Sequence, residues 1–299
     1  MSTASDAPIL WRLFVLQPKA QVQQDLVHVE SALKAHFLLS EAKVVDVAKT
    51  EGWCFSIHAS AAAVKAVRDQ WDEMLPGCDL LCEPVSAFSG KRKLACFDMD
   101  STLIQAEVID ELAKEAGIGE QVAAITEEAM QGKIDFRESF TRRMALLKGL
   151  DLEVLDAVYH RIRLMDGAEE LFAGLSSRGV RTAILSGGFT YFANRLKQRL
   201  GIDEIHANVL DEANGILTGE VVEPIVDAAM KAQRLQEICE RKGFELAATM
   251  AVGDGANDLK MLAVAGVGVA FRAKPLVRAQ ADYALQHCGL DALLALFEA

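Results

Sequence analysis

The fold of this chain is decided at residues 94–103, which read Leu-Ala-Cys-Phe-Asp-Met-Asp-Ser-Thr-Leu. A short apolar run ends there at two aspartates, Asp98 and Asp100, which are one residue apart. Such a run is typical of a buried strand of a parallel sheet, and ligands of these sheets bind beyond the carboxyl ends of the strands. Two neighbouring ionised carboxylates repel each other, which costs free energy unless a cation neutralises their charge or one of them is protonated. The sequence therefore predicts a bound metal ion, or two carboxyl groups with different pKa values, at this strand end.

Two later apolar runs also end in polar segments that contain glycine. Residues 184–185 lead into Ser186-Gly187-Gly188-Phe189, and residues 249–252 lead into Gly253-Asp254-Gly255-Ala256-Asn257-Asp258. Lys231 lies between them on a predicted helix. Each segment alone is weak evidence for a functional site. Isolated aspartate pairs and Asp-Gly sequences are common in solvated turns, and a single lysine on a helix is usually exposed. Their order, with three of them following strands, favours a functional interpretation.

In this order the four segments resemble the haloacid dehalogenase superfamily of phosphohydrolases, and within it the phosphoserine phosphatases. DMDSTL, SGGF, Lys231 and GDGAND are similar to the first, second, third and fourth motifs of that family, without departure at any motif position. The resemblance covers about residues 91–299. It implies a Mg²⁺-dependent hydrolase that converts O-phospho-L-serine to L-serine and phosphate, the last step of serine biosynthesis.

The resemblance also implies roles for the acidic residues. Asp98 is expected to be the nucleophile that forms an aspartyl-phosphate, and Asp100 the proton donor and acceptor. The expected Mg²⁺ ligands are Asp98, Asp254 and the backbone carbonyl of Asp100, while Asp258 is expected to orient the site. A few hard oxygen ligands suit Mg²⁺. None of the six histidines has ligand spacing with another, so a zinc site is not expected.

Phosphate oxygens need hydrogen-bond donors, which the remaining motif residues can supply. The Ser186 hydroxyl and the Gly187 amide lie where a strand is predicted to turn into a helix near Thr190, and backbone amides at such a junction favour an anion. Lys231 is expected to neutralise the phosphate and the nucleophile. Asn257 is expected to be a further polar contact.

Substrate choice is expected to come from the roughly eighty residues between the first two motifs, which are too long for an ordinary loop. Their helical periodicity predicts a helical cap at about residues 105–166. Arg143 offers a bidentate fork for a carboxylate, and Glu107 offers an anion for an ammonium group. The resemblance assigns both to the serine moiety, and Met130 and Phe136 to apolar contacts. Two alternatives stay open. Arg142 adjoins Arg143, and one of the two is expected to be simply exposed. Glu107 could be an acidic residue at the start of a helix, where the helix dipole favours a negative charge.

The alternation of strands and helices after residue 91 predicts an α/β fold, a Rossmann-like parallel sheet with helices on both faces. Its strands are predicted at residues 93–98, 180–185, 248–253, 267–271 and 282–285, and two of its helices at 189–200 and 228–242. Residues 205–222, which contain Asn214-Gly215, are predicted to form a β-hairpin appended to that sheet.

Residues 1–90 have a different pattern, which predicts a small α+β domain in the ferredoxin-like order βαββαβ. The predicted strands are residues 9–16, two within 44–57 around Glu51-Gly52, and 80–85, and the helices are 22–37 and 61–75. The segment resembles the ligand-sensing ACT domains of amino-acid enzymes and is joined to residues 91–299 by a polar linker at 86–93. A regulatory role with L-serine as effector, or homodimerisation, is a hypothesis; a purely structural cover is the alternative.

Composition limits the remaining function classes. The formal net charge is −12, which disfavours binding to nucleic acids and anionic membranes. No apolar run approaches transmembrane length, and the start of the chain lacks the basic region of a signal peptide, so a cytoplasmic location is expected. The six cysteines form no disulfide or zinc pattern.

Three other functions fit parts of the pattern. The chain could hydrolyse another small phosphate ester, because only the predicted cap distinguishes substrates. It could transfer the phosphoryl group to an acceptor other than water, because the aspartyl-phosphate is shared. It could also be a regulatory binding protein with an inactive phosphatase core, although every motif position holds a competent residue.

Overall fold

The protein is described by a computed structural model over residues 7–88, 92–131 and 133–297. These residues form a four-stranded antiparallel sheet, a six-stranded parallel sheet and a two-stranded hairpin. In the described part of the chain, no helix is long and apolar enough to cross a membrane.

The N-terminal sheet contains strands β1 (Ile9–Pro18), β2 (Lys43–Val47), β3 (Thr50–Ala59) and β4 (Asp79–Pro84) in the order β2-β3-β1-β4. All neighbouring strands are antiparallel. Helices α1 (Leu26–Lys34), α2 (Ala61–Asp69) and α3 (Trp71–Met74) connect them. Asp25 and Ser60 are the N-cap residues of α1 and α2. Their side chains accept hydrogen bonds from backbone NH groups in the first turn of each helix. This is the predicted ferredoxin-like order.

The predicted turn between β2 and β3 was wrong. It lies at residues 48–49, where Ala48 adopts a φ of 42°, and not at residues 51–52. Gly52 instead lies inside β3, and a Cβ atom there would be only 1.9 Å from the carbonyl oxygen of Val15 on the neighbouring strand. The glycine therefore permits close strand packing, which a sequence pattern does not distinguish from a turn.

The parallel sheet confirms all five predicted strands and adds a sixth. Its strands are β5 (Leu94–Phe97), β6 (Arg181–Phe189), β7 (Glu204–Asn208), β10 (Thr249–Gly253), β11 (Val267–Phe271) and β12 (Tyr283–Leu285). They lie in the order β12-β11-β10-β5-β6-β7. Strand β6 continues past the predicted end at residue 185 to Phe189. Strands β5 and β10 contain only buried residues, as expected for central strands with both faces covered.

Helices cover both faces of this sheet, as predicted. They are α8 (Ala168–Ser177), α9 (Thr190–Leu200), α10 (Ala228–Lys242), α11 (Leu259–Val264) and α12 (Pro275–Gln280). Residues Ala95 and Phe97 of β5 share one apolar cluster with α8 and α9, while Leu94 and Cys96 share another with α10, α11 and α12. Alternate residues of one strand therefore anchor opposite helical layers.

Four further helices lie between β5 and α8: α4 (Val108–Glu115), α5 (Gly119–Met130), α6 (Phe136–Leu146) and α7 (Leu152–Arg161). The predicted hairpin exists as β8 (Leu210–Ala213) and β9 (Ile216–Val221), and it turns at Asn214-Gly215. Its predicted attachment to the parallel sheet was wrong. The hairpin joins the four helices instead, because the Gly149 NH donates to the Leu217 carbonyl at 2.8 Å and the Leu152 NH donates to the Gly215 carbonyl at 3.0 Å.

The N-terminal sheet is buried on both faces. One face packs against α1 and α2, and the other contributes Phe14, Leu16 and Leu81 to the apolar cluster that also contains the 3₁₀ helix Leu290–Phe297. The predicted linker at residues 86–93 lies partly outside the described residues. The division of the chain at residue 90 stays a prediction.

Candidate active site

The carboxyl ends of three neighbouring strands bring the motif residues together. Strand β5 lies between β10 and β6, so that Asp98, Asp254 and the Ser186 segment meet at one edge of the sheet. The Asp98 backbone NH donates to the Val252 carbonyl of β10 at 2.9 Å, which continues the strand pairing to the first aspartate. The parallel register thus positions side chains that are far apart in sequence.

Lys231 forms the positive centre of this edge. It lies in the first turn of α10, is 1% exposed, and its Nζ atom is 2.9 Å from Asp98 Oδ1 and 2.7 Å from Asp258 Oδ1. Burial opposes its charge, but the Asp98 and Asp258 carboxylates raise the pKa of Lys231 above its ordinary value. The ammonium group is therefore charged and links the first motif to the fourth.

Three carboxylates form a potential cation site. Oxygens of Asp98, Asp254 and Asp258 lie within 4.8 Å of one another. Burial and the Asp98 charge raise the pKa of Asp254 to about 7 and the pKa of Asp258 to about 6. Such a crowded set of hard oxygen donors suits a divalent cation, because the cation would remove the repulsion that raises these values.

The structure distinguishes the members of this cluster by their hydrogen bonds. Asp258 Oδ1 accepts from Lys231, and its Oδ2 accepts from the Gly255 NH at 3.0 Å. Asp254 Oδ1 accepts from the Thr102 hydroxyl at 2.9 Å. Both Asp258 oxygens therefore already have protein partners, which fits the expected orienting role better than direct contact with a cation.

Asp100 lies in an environment that disfavours its charged form. Burial, followed by the charges of Glu107 and Asp98, raises the pKa of Asp100 well above its ordinary value. Its Oδ1 atom is buried and has no hydrogen-bond partner among the described residues. At Gly188, a Cβ atom would lie 2.7 Å from Asp100 Oδ2, so only glycine lets β6 approach this closely. The raised pKa and the unpartnered oxygen both favour the protonated form of Asp100.

A cavity of about 170 Å³ opens above these groups. Its floor is formed by the aspartates and by residues 186–189, and its roof by α4 and α6. The lining residues are Asp98, Asp100, Glu107, Ile109, Phe136, Phe140, Arg143, Ser186, Gly187, Gly188, Phe189, Asp254 and Asn257. Most of the predicted site residues therefore face one enclosed space, while Lys231 and Asp258 lie beneath its floor.

Glu107 and Arg143 bring opposite charges to the roof. Glu107 immediately precedes α4 and accepts from the Ser101 hydroxyl at 2.7 Å. Arg143 lies in the last turn of α6, and its Nε atom makes a long hydrogen bond of 3.4 Å to the Ser139 carbonyl. Burial lowers the pKa of Arg143, and the guanidinium makes no ion pair within the described residues. A ligand that carries both an ammonium group and a carboxylate would complement these two side chains.

The adjacent Arg142 has a different environment. It is exposed on the outer side of α6 and forms ion pairs with Glu128 at 2.9 Å and with Glu138 at 2.5 Å. Of the two arginines, only Arg143 lines the cavity.

The two apolar residues assigned by resemblance differ in what can be described. Phe136 lines the cavity mouth, is 37% exposed, and stacks on Phe140 with ring centroids 6.1 Å apart. Met130 is the last residue of α5, but its side chain lies outside the described part of the structure.

Sequence reasoning missed several residues of the site. Ile109 and Phe140 belong to the helical periodicity that predicts the cap, and they also line the cavity, which that periodicity does not indicate. Asn208, at the end of β7, is 1% exposed; it donates to the Gly187 carbonyl at 2.8 Å and accepts from the Val226 NH at 2.8 Å. It therefore fixes the second motif to the loop before α10. No local pattern around Asn208 signals this contact.

Comparisons with known proteins identify the family of this chain. Residues 92–266 match the family model of haloacid dehalogenase-like hydrolases. A phosphoserine phosphatase of Archaeoglobus fulgidus is 46% identical over 222 residues, which is 74% of this chain and 64% of that protein. A phosphoserine phosphatase of Streptococcus thermophilus is 45% identical over 205 residues, 69% of this chain and 95% of that protein.

One solved structure is similar along nearly the whole chain. It is a haloacid dehalogenase family hydrolase from Salmonella enterica, with a TM-score of 0.89 and 32% identity, and the match covers 97% of this chain and 98% of that one. The similarity thus includes the N-terminal sheet as well as the parallel sheet. The chain belongs to the haloacid dehalogenase-like hydrolases and, within them, to the phosphoserine phosphatase family.

Proposed function

We propose that this protein hydrolyses O-phospho-L-serine to L-serine and phosphate through a phosphorylated Asp98, the last step of serine biosynthesis. One observation carries the proposal: a single cavity has the Asp98 carboxylate, paired with Lys231, and Asp100, whose pKa is raised by burial, at its floor, and Glu107 and Arg143 at its roof. The floor suits phosphoryl transfer, and the roof suits an amino acid.

In the first step, a carboxylate oxygen of Asp98 attacks phosphorus and the bond from phosphorus to the serine oxygen breaks. The proton of Asp100 passes to that oxygen, so L-serine leaves as a neutral alcohol. Because Lys231 is fixed beside Asp98, its charge offsets the negative charge that gathers around the phosphoryl group.

In the second step, Asp100 is ionised and accepts a proton from a water molecule, whose oxygen attacks phosphorus. The bond between phosphorus and Asp98 breaks, which releases phosphate and returns both aspartates to their starting states. The same residue serves as acid and then as base, and its raised pKa favours recovery of the proton.

Donors on β6 and after β10 hold the phosphoryl oxygens. The Ser186 hydroxyl accepts from the Gly188 NH at 2.9 Å, so its own hydrogen is free to point at the substrate. The Gly187 NH and the Asn257 amide are the other proposed donors, together with Lys231.

The residues present fit a bound Mg²⁺ ion, and we assign as its ligands Asp98, Asp254 and the backbone carbonyl of Asp100. Bound there, Mg²⁺ would supply positive charge that favours an ionised Asp98 and neutralises phosphate oxygens. Asp258 accepts from Lys231 and from the Gly255 NH, and so would hold Lys231 beside Asp98.

Specificity is assigned to the roof of the cavity. Arg143 would bind the carboxylate of phosphoserine as a fork, and Glu107 would accept from its ammonium group. Phe136 and Met130 would pack against the short carbon frame. The absence of an ion pair at Arg143 within the described residues supports this assignment, because a half-buried guanidinium without a carboxylate partner favours an incoming anion.

The test is phosphate release from L-phosphoserine, with Mg²⁺ or with EDTA, against a panel of small phosphate esters. We expect a metal-dependent preference for L-phosphoserine and complete loss of turnover in Asp98→Asn. Activity on other esters only would refute the role of the roof while retaining the aspartyl-phosphate. Transfer to added alcohols in place of phosphate release would refute hydrolysis.

We also propose that residues 1–90 form a distinct module, that residues 91–299 form the catalytic part, and that residues 105–166 cap the cavity. Dimerisation through the module and inhibition by L-serine stay predictions. Light scattering with and without L-serine, combined with inhibition kinetics, tests both: a monomer at all concentrations, with inhibition that is purely competitive, would contradict them.

A further inference from the structure

A second cleft lies between the N-terminal sheet and the parallel sheet, and it contains none of the residues proposed above. Its volume is about 440 Å³. Helices α2 and α3 and strands β1 and β4 line one side, and helix α12 and strand β12 line the other. Clefts of this size at the junction of two folded units are common positions for small-molecule sites.

Two arginines give the cleft hydrogen-bond donors. Arg68 of α2 donates across the cleft to the Ala281 carbonyl at 3.3 Å and makes no ion pair within the described residues. Arg278 of α12 pairs with Asp72 at 3.2 Å, but its Nε atom is buried and has no hydrogen-bond partner in the described part of the chain. Both side chains are half-buried and line the cleft, so a bound acceptor would add hydrogen bonds to guanidinium groups that the described residues satisfy only in part.

The carboxylates of the lining are already engaged. Asp79 is 3% exposed and accepts from the backbone NH groups of Gln286 at 2.7 Å and Cys288 at 2.8 Å. Asp69 pairs with Lys65 at 2.5 Å, and Asp72 pairs with Arg278. Of the three cations of the lining, Lys65 and Arg278 each have a carboxylate partner, whereas Arg68 makes no ion pair within the described residues and so favours an anionic ligand.

The rest of the lining is apolar. Trp11 is half-buried, Val64 and Leu80 are buried, and Ala281 faces them from the parallel-sheet side. An inorganic anion would leave these surfaces uncovered, whereas an organic acid would cover them with its hydrocarbon part.

We propose that this cleft binds a small organic carboxylate, with the carboxylate on Arg68 and Arg278 and the hydrocarbon part against Trp11 and Val64. Because α2 and α12 lie on opposite sides, the ligand bridges the N-terminal sheet and the parallel sheet. Arginine is suited to this role, since its planar fork matches the two oxygens of a carboxylate.

Calorimetric titration of the full-length chain tests the site with acetate, succinate, benzoate, L-serine and inorganic phosphate. We expect at least one carboxylate to bind saturably below about 10 mM, and Arg68→Gln or Arg278→Gln to weaken that binding about tenfold or more. The matched control is Lys65→Gln, because Lys65 lies at the same cleft but is already paired with Asp69. It should change the affinity less than twofold by the weakness of exposed pairs. Arg143→Gln should leave this binding unchanged.

Four outcomes would overturn the proposal. The first is that no carboxylate binds saturably, and the second is that Lys65→Gln weakens carboxylate binding as much as the arginine variants do. The third is loss of carboxylate binding in Arg143→Gln, which would assign the binding to the catalytic cavity. The fourth is that phosphate alone binds saturably and that its binding depends on Arg68. Thermal melts of each variant establish that it is folded, and the two arginine variants provide independent readings of the same site.

Discussion

Lys231 links two acidic residues at the edge of the sheet that forms the proposed active site. Its ammonium group lies between Asp98 and Asp258, and all three side chains are almost fully buried. A buried charge without a partner costs far more than an exposed one. Removing this lysine therefore affects stability as well as chemistry.

We predict that Lys231→Gln abolishes phosphate release and lowers the free energy of unfolding by about 3–5 kcal/mol, because two carboxylates lose their cation. Urea unfolding in EDTA measures the stability. The matched control is Lys242→Gln, at the exposed end of the same helix α10, which should cost less than about 0.5 kcal/mol. Similar losses in the two variants would show that the central ion pairs contribute little.

The acidic cluster predicts an unusual pH dependence of the metal-free protein. The folded-state pKa of Asp254 is about 7, against 3.8 for an ordinary aspartate. The folded state therefore holds the proton more tightly, so this contribution to stability is complete below about pH 4 and is lost as the pH rises through 7.

In EDTA, the free energy of unfolding should fall between about pH 4 and pH 7, by up to about 1.4 kcal/mol per pH unit for this group. Asp254→Asn should flatten that slope, whereas the exposed Asp69→Asn should not. Excess Mg²⁺ should stabilise the wild-type protein increasingly as the pH rises, because its ligands must be ionised. A slope unchanged in Asp254→Asn would contradict the raised pKa.

At the scale of elements, helix α6 separates two adjacent arginines by the direction in which each one points. Arg143 lines the cavity, while Arg142 pairs with Glu128 and Glu138 on the outer surface. Replacing each arginine by glutamine therefore gives two variants with the same chemical change on one helix, one at the cavity and one on the outer surface.

Arg143→Gln should raise the KM for L-phosphoserine about tenfold or more, by the loss of a charged hydrogen bond, and should change the KM for p-nitrophenyl phosphate little. Arg142→Gln should leave both constants within about twofold, since exposed ion pairs contribute little. Steady-state kinetics of both variants on the two substrates measures these constants. Equal losses on both substrates would argue against carboxylate binding by Arg143.

The hairpin of β8 and β9 depends on its turn, where Asn214 has a φ of 55° and Gly215 a φ of 80°. Gly215→Ala should destabilise the protein by about 1 kcal/mol, because alanine disfavours positive φ. Gly119→Ala provides the opposite case: it lies in helix α5 at negative φ with open space around it, so the stability should stay equal or rise. Thermal or urea unfolding of both variants compares the two effects. A loss in both, or in neither, would contradict the argument.

At the scale of the whole molecule, two buried carboxylates tie the N-terminal sheet to the remainder of the chain. Asp79 of β4 accepts from the backbone NH groups at residues 286–288, and Asp291 accepts from the Lys49 NH at 2.8 Å. Glu83 also lies fully buried between Arg12 and Arg92. The two parts are therefore joined by polar contacts as well as by a shared apolar cluster.

We predict that the chain unfolds in one cooperative transition and that Asp79→Asn lowers the free energy of unfolding by about 2–4 kcal/mol, because an NH₂ group would replace an acceptor that faces backbone donors. Calorimetry gives the cooperativity, and Asp69→Asn is the exposed control. Two separate transitions in the wild-type protein would contradict the shared core. Deletion of residues 1–90 would expose that core, so point variants are the sounder test of the module.

The sequence by itself determined the parallel sheet and the floor of the site. Strands β5 and β10 are continuous apolar runs, and parallel pairing makes their carboxyl ends coincide, so aspartates that follow each run must meet. The ferredoxin-like order of the N-terminal residues also followed from alternating patterns.

Only the tertiary structure decided the contacts between elements that are distant in sequence. It brought Lys231 to Asp98, turned Arg143 rather than Arg142 toward the cavity, and joined the hairpin to the four helices between β5 and α8. It also revealed Asn208 and the cleft at Arg68, since neither has a local pattern. Periodicity specifies which face of an element is buried, but which element covers that face depends on packing across the whole chain.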